Sequence, residues 1–344
     1  MNCKLLLLLS AILCNTLCMS QRGDTLRKYL DEQLAFTNKN NVTYPGLAIR
    51  SNDHWMLVCL YPDTGILVKA YYKDSDMKVK DGPFTFYHPG NKKAVEGFYV
   101  NDLHQGNWKF WHPNGQLKDS GMIKNNFLCG TWMSWYEDGT LAASTSYPHA
   151  DSITDIVRGT KDSRRISLFK GDTTVFIKHG LWQAFYTNGK PESRGYYVNN
   201  VQEGDWEYFR EDGSISTKEK YKNGKVAAMA CYNEQGNLTD SFCSILKPPV
   251  PLLDRFTNLD DYALDHIVWP QEVLKNKRIQ GIVKVQFTIT KKGELSNFKI
   301  LSSPHDLLSK EVERFFKSLP PWSPAVSHNR VIDYPMQYEV PFMR

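Results

Sequence analysis

The sequence lacks the short motifs that announce a catalytic centre. There is no His-Glu-x-x-His, no Gly-x-Ser-x-Gly, no phosphate-cradling glycine loop and no Cys-His pair at nucleophile spacing. Asp260-Asp261 is an acidic pair, but adjacent residues diverge, and a solvated helix face accounts for it. Cysteines and histidines fall without metal-ligand spacing, so neither a metal nor a cofactor is expected, and the chain reads as a non-enzyme. The net charge of +5 comes without a concentrated basic face, which excludes nucleic acid as a partner. Past the first twenty residues no apolar run is long enough to span a bilayer.

What is present begins with an export signal. Lys4 supplies a positive start, Leu5 to Leu17 an apolar core of about a dozen residues, and Cys18-Met19-Ser20 a small-residue end before Gln21. A spanning helix needs about twenty residues, so cleavage after Ser20 and free export to the periplasm or cell envelope are expected, with no transmembrane helix left. Leu13 before Cys14 and Leu17 before Cys18 argue against a lipoprotein signal. Cleavage would remove Lys4, leaving +4, together with Cys3, Cys14 and Cys18. Of the remaining Cys59, Cys129, Cys231 and Cys243, the last two are the most local disulfide candidates; unreactive buried thiols are the alternative.

The body of the chain is repetitive. Aligned on glycine, "GPFTFYHPGN" from 82, "GNWKFWHPNG" from 106, "GTWMSWYEDG" from 130, "GLWQAFYTNG" from 180 and "GDWEYFREDG" from 204 form one series. Phe84, Trp108, Trp132, Trp182 and Trp206 fall two places after the glycine; Tyr87, Trp111, Trp135, Phe185 and Phe209 fall five after; Tyr99, Ile123, Tyr147, Tyr197 and Tyr221 fall seventeen after. Degenerate copies end at "YPDTG" and "YNEQG", the latter with Ala227 and Met229 in place of the glycine and tryptophan. Each copy carries two turn signals, such as Asn114-Gly115 and Asn125-Asn126, separated by aromatic and β-branched segments of strand length. An antiparallel meander with one hairpin per repeat follows, and the opening glycine is expected to let a backbone pass close to a ring.

Positions two and five after the glycine differ by three, so on a regular strand they point to opposite faces. Either a bulge realigns them, or one column packs inside while Trp111, Trp135, Phe185 and Phe209 coat an outer surface able to take a sugar, a lipid or a partner. His88 and His112 belong to the turns, since Tyr136, Tyr186 and Arg210 take the same place. Between copies, Arg158, Lys161, Arg164, Arg165, Lys170 and Lys178 make a basic stretch that reads as a solvated insertion. The copies resemble the MORN-type repeat in its bacterial, antitoxin-like variant, which implies an interaction scaffold with no catalytic residue.

After "KPPVP" the pattern changes. Leu259–Val268 and Pro270–Lys277 are short helical candidates, "GIVKVQFTI" alternates as a strand with one apolar face, Lys291-Lys292-Gly293 turns, "ELSNFKILSS" returns, and Asp306–Leu319 has helical apolar spacing. Val331–Phe342 is a last extended segment. Trp269-Pro270, Gln280-Gly281, Gly293, Ser302-Ser303, Glu311 and Pro321-Trp322-Ser323-Pro324-Ala325 in this order resemble the C-terminal domain of TonB in the form common in Bacteroidetes. That resemblance implies a periplasmic domain that adds an extended peptide of an outer-membrane TonB-dependent receptor, or of another envelope protein, to a sheet edge. The edge carried over is Val331, Ile332, Asp333, Tyr334, Met336 and Tyr338, within which Pro335 offers no donor.

The expected fold is mainly β plus α+β: an antiparallel β-hairpin (MORN-like) repeat array, then a small TonB-like domain with a three-stranded antiparallel sheet and two helices. The expected segments are a signal peptide at 1–20, a lead-in at 21–54, repeats at 55–246 with an insertion at 140–179, a proline-rich linker at 247–252 and the TonB-like domain at 253–344. Self-association through repeat edges fits such an array. An energy-transducing TonB component anchored by an uncleaved N-terminus is the alternative reading.

Overall fold

The computed structural model describes residues 25–149, 164–166, 174–239, 244–253, 255–256, 258–275 and 278–343. The expected signal at 1–20, most of the basic stretch, and Cys243 lie outside the described residues. Cys231 is disulfide-bonded, whereas Cys59 and Cys129 are free. The chain divides into two compact units, Met1–Gly213 with Glu219–Ala228, and Ser214–Lys218 with Met229–Arg344.

The first unit is an antiparallel meander. It starts at Thr25–Leu30 on Tyr44–Ser51 and continues through His54–Tyr61, Gly65–Tyr72, Lys80–His88, Lys92–Val100, Leu103–Trp111, Leu117–Lys124 and Phe127–Trp135 to Leu141–Tyr147. Leu141–Tyr147, within the stretch read as an insertion, is a regular repeat strand: Thr145 faces Trp132 on one side and Trp182 of Gly180–Phe185 on the other. The sheet thus bridges the break in sequence and resumes with Pro191–Val198 and Val201–Phe209. The predicted turns follow. Asn101-Asp102, Asn125-Asn126, Asn199-Asn200 and Asn223-Gly224 each hold two consecutive positive φ angles, the geometry that matches strand twist in a two-residue hairpin.

The structure resolves the question of the two aromatic columns, because both devices occur. Trp108, Trp132, Trp206 and Phe84 are buried, and Phe84, Trp108 and Trp206 pack edge-on against the third column, with Tyr99–Trp108 at 5.3 Å and Tyr197–Trp206 at 5.1 Å. Register shifts occur at Gly97, Gly121 and Gly195. It is these glycines that admit the rings: a Cβ there would lie 2.2, 2.3 and 2.1 Å from the indoles of Trp108, Trp132 and Trp206. Of the opening glycines, Gly82 lies against Tyr71 as expected, where a Cβ would come within 3.3 Å of the ring, but for three others that expectation is corrected. Gly106, Gly130 and Gly204 face open space and serve instead by their φ of +74°, +67° and +70°, which turns the chain into the inner column. At the splice Thr145 takes the place of the ring-facing glycine, and Trp182 is only partly buried.

The second unit has its own core under the strand Gly281–Ile289. Val283, Val285, Phe287 and Ile289 on one face meet Leu308, Val312, Phe315 and Phe316 of the helix Asp306–Lys317. The order Leu295–Ser302, Gly281–Ile289, Tyr334–Phe342 gives the expected three-stranded antiparallel sheet. Two corrections apply. Among the described residues three helices are present, not two: Leu259–His266, Gln271–Lys275 and Asp306–Lys317 follow the three helical segments read in the sequence, with Trp269-Pro270 between the first two. Two further small sheets exist: Leu246–Lys247 and Arg330–Ile332 flank Ala325–Ser327, and Val250–Pro251 pairs with Trp322–Ser323. The proline-rich stretch read as a linker is therefore engaged in pairing on both sides of its prolines.

Candidate functional site: an open sheet edge and its groove

The segment Val331–Tyr338 does not form one edge. Val331 and Ile332 pair with Val326 and Ala325 in the small sheet. That hairpin turns at His328-Asn329, where Asn329 donates from Nδ2 to the carbonyls of Tyr232 and Ser216 at 2.8 and 3.4 Å, both within the same unit. Asp333 is the corner, its carboxylate accepting from the Lys291 amide at 2.7 Å. Only Tyr334, Met336 and Tyr338 enter the main sheet, in the strand Tyr334–Phe342.

This strand is the outer member of its sheet, and among the described residues nothing pairs with its far side. Which groups face outward follows from the neighbouring turn. Thr290 donates to the Glu294 carbonyl at 2.8 Å, so even-numbered residues at that end of the central strand bond toward Leu295–Ser302 and odd-numbered ones toward Tyr334–Phe342. Ile289, Phe287 and Val285 oppose Tyr334, Met336 and Tyr338 in a register unbroken over nine pairs. Pro335, Gln337, Glu339 and Pro341 are left facing out, which is where proline costs the sheet no bond. The open edge thus presents the amides of Gln337 and Glu339 and the carbonyls of all four.

Beside the edge lies a groove of about 220 Å³ lined by Asp260, Ala263, Leu264, Ile267 and Trp269, with Tyr338, Val340 and Pro341. The helix that forms its wall starts at Asn258, whose side chain accepts from the Asp261 amide at 2.8 Å. Its other end is clamped by Glu311, which accepts from the Val268 amide at 2.7 Å and from Arg314 at 2.6 and 2.8 Å, while Arg314 also donates to the His266 carbonyl at 2.9 Å. Burial disfavours the Glu311 charge, but the guanidinium and the amide outweigh it, and the carboxyl lies below its ordinary range. Inside the groove the Tyr338 hydroxyl donates to Asp260, and burial followed by this bond raises the phenol above its usual value. Sequence reading missed Ala263, Leu264 and Ile267; the available signal was Leu264, an apolar residue off the face that Leu259 and Ala263 bury.

The second predicted surface is more occupied. Trp111, Trp135, Phe185 and Phe209 are all partly buried, and Leu117, Leu141 and Pro191 stand opposite the first three on the next strands. Lys93 lies 5.7 Å from the Trp111 ring and Arg194 5.4 Å from that of Phe209. Their backbone carbonyls are used as well. Tyr61, His88, His112, Tyr136 and Tyr186 donate to the carbonyls of Tyr87, Trp111, Trp135, Phe185 and Phe209 at 2.7 to 3.0 Å, one bond per repeat. Histidine and tyrosine exchange freely there because each supplies one ring-borne donor at similar reach. Trp135 borders an open depression of about 400 Å³, with Met122, Met133 and His149.

Comparison with known proteins agrees with this division. Residues 265–343 match the family described as Gram-negative bacterial TonB protein C-terminal, and 80–101, 105–125 and 178–199 match a MORN repeat variant. The chain joins MORN-variant repeats to a TonB C-terminal domain. Each match covers part of the chain, and no catalytic family is among them. The TonB match takes in the groove from Asp265 onward, the Glu311 clamp and the whole of the open strand. No curated protein matches the chain. No helix among the described residues is long and apolar enough to cross a membrane.

Proposed function

We propose that this protein is an interaction protein of the periplasm or cell envelope. Its TonB-type domain captures an extended peptide segment of outer-membrane transport machinery on the outer side of Tyr334–Phe342, and its repeats serve as a platform for protein contacts. The observation that carries this reading is the edge itself: an outer strand with free amides at Gln337 and Glu339 beside an unfilled groove. Main-chain bonds on such an edge give affinity, and the groove beside it reads alternate side chains.

The test is hydrogen exchange at single-amide resolution on the full chain, with and without peptides from the N-terminal plugs of outer-membrane receptors of the same cell. Slowed exchange at Gln337 and Glu339 supports strand addition. Peptides that bind while leaving these amides unchanged, or a full panel that does not bind, would refute it.

A further inference from the structure

We infer that the segment taken up on this edge is short and carries, on the face turned to the groove, an apolar side chain with a basic one two places away; this rests on the strand-addition reading above. The length follows from the prolines. Pro335 and Pro341 give carbonyls but no amides, so a reciprocal ladder is complete only across Gln337 and Glu339, and pairing frays at both ends. A long strand gains nothing from this edge beyond what a short one gains.

The apolar requirement follows from the groove. Side chains of an added strand alternate, and those on the same side as Tyr338 and Val340 point over Ala263, Leu264 and Ile267. Leu264 is 83% exposed, which leaves bare an aliphatic ridge next to a concave surface of aliphatic size. Covering that ridge with an aliphatic side chain removes apolar area on both partners from water.

The basic requirement follows from charge complementarity. Asp260, Asp261 and Asp265 lie along the groove helix. Arg255 answers Asp265 at 3.3 Å, with His266 at 3.7 Å, and Asn258 donates to Asp261 at 2.8 Å. Asp260 accepts from the neutral Tyr338 hydroxyl at the groove mouth and keeps lone pairs for a further donor. Across the strand, Glu339 is paired with Lys284 at 2.6 Å, so that lysine does not offset the acidic lip. A lysine or arginine of the incoming segment is the complement.

The experiment uses the full chain and three capped, labelled heptapeptides of alternating Leu and Thr: one with a Lys two places from the central Leu and so on the same face, one with Glu for that Lys, and one with Ser for the leucines. Fluorescence anisotropy should rank the first at least about tenfold tighter than either other, the size of effect one apolar side chain produces in a pocket. Leu264→Ser should bring the Leu and Ser peptides level, and Asp260→Asn, which keeps an acceptor for Tyr338, should bring the Lys and Glu peptides level. Gln337→Pro should weaken all three, with the melting curve confirming that the variant is folded. Three peptides binding equally to the native chain, yet all lost in Gln337→Pro, would overturn this inference and leave strand addition standing. Binding indifferent to Gln337→Pro, or absent for every peptide, would overturn both, and concentration-dependent self-association that the peptides do not disturb would assign the groove to a second copy instead.

Discussion

The repeats and the TonB-type domain are both built from antiparallel strands on an aromatic core, yet they treat exposed hydrogen-bonding groups in opposite ways. In the repeats each strand from Tyr44–Ser51 to Phe127–Trp135 is paired on both sides, and a His or Tyr side chain caps one further carbonyl per copy. In the TonB-type domain the last strand is paired on one side only, and its free side carries prolines at 335 and 341 with two free amides between them. A sheet that repeats must close its edges against itself to avoid uncontrolled pairing, whereas a docking sheet keeps one edge open and limits its length. The aromatic rings, though far more conspicuous in the sequence, belong mainly to the first strategy.

The largest expected effect breaks the repeat side of that comparison. Trp108→Ala should cost about 4 kcal/mol in chemical denaturation, since it empties the centre of the inner column. Gly97→Ala should be comparably damaging alone, because its Cβ would lie 2.2 Å from that indole, but should cost little once Trp108 is Ala. A double-mutant cycle reads this coupling directly; additive costs would mean that the glycine serves its strand and not the ring.

Next comes the clamp behind the groove. Glu311→Ala should cost about 2 kcal/mol by removing the carboxylate that accepts from the Val268 amide and from the half-exposed Arg314. The sign with pH follows from the lowered carboxyl. The folded value lies below the ordinary 4.5, so the contribution is present above that value and is lost as pH falls through the folded one. Melting curves of Glu311→Gln and the native chain should converge as pH falls below the ordinary carboxylate range. A difference unchanged down to strongly acid pH would mean that the carboxylate is not what holds Val268 and Arg314.

A smaller effect separates the two aromatic columns. Tyr136→Phe removes one carbonyl cap across the splice and should cost about 1 kcal/mol, with Trp111→Ala likewise about 1 kcal/mol because its ring is only half-buried. If either Trp111→Ala or Trp135→Ala left melting unchanged but abolished binding of a glycan or lipid, the outer column would be a ligand surface and the contrast drawn above would weaken.

Period and turn chemistry were legible without coordinates. The 24-residue spacing and the Asn-Gly and Asn-Asn pairs define hairpins by local rules. The alternation in "GIVKVQFTI" likewise marks a strand with one buried face. What could not be read is which glycine admits a ring, because Gly97 and Gly106 differ only in what lies across the sheet. Nor could the corner at Asp333 be read, where a continuous extended segment is divided between two sheets by its contact with Lys291, distant in sequence. The groove was invisible for the same reason: Asp260 looks like a solvated helix residue until Tyr338 is placed beside it.

The smallest stability effect carries the most weight for function. Leu264 is so exposed that Leu264→Ser should change folding stability by no more than about 0.5 kcal/mol. A residue that contributes nothing to the fold yet presents an aliphatic side chain to water at the rim of a groove is explained only by what covers it. The same variant should therefore lose affinity for an apolar peptide while its melting temperature stays put. Were it instead to unfold the domain, Leu264 would be a packing residue, and the edge would have to discriminate its partners by main-chain bonds at Gln337 and Glu339 alone.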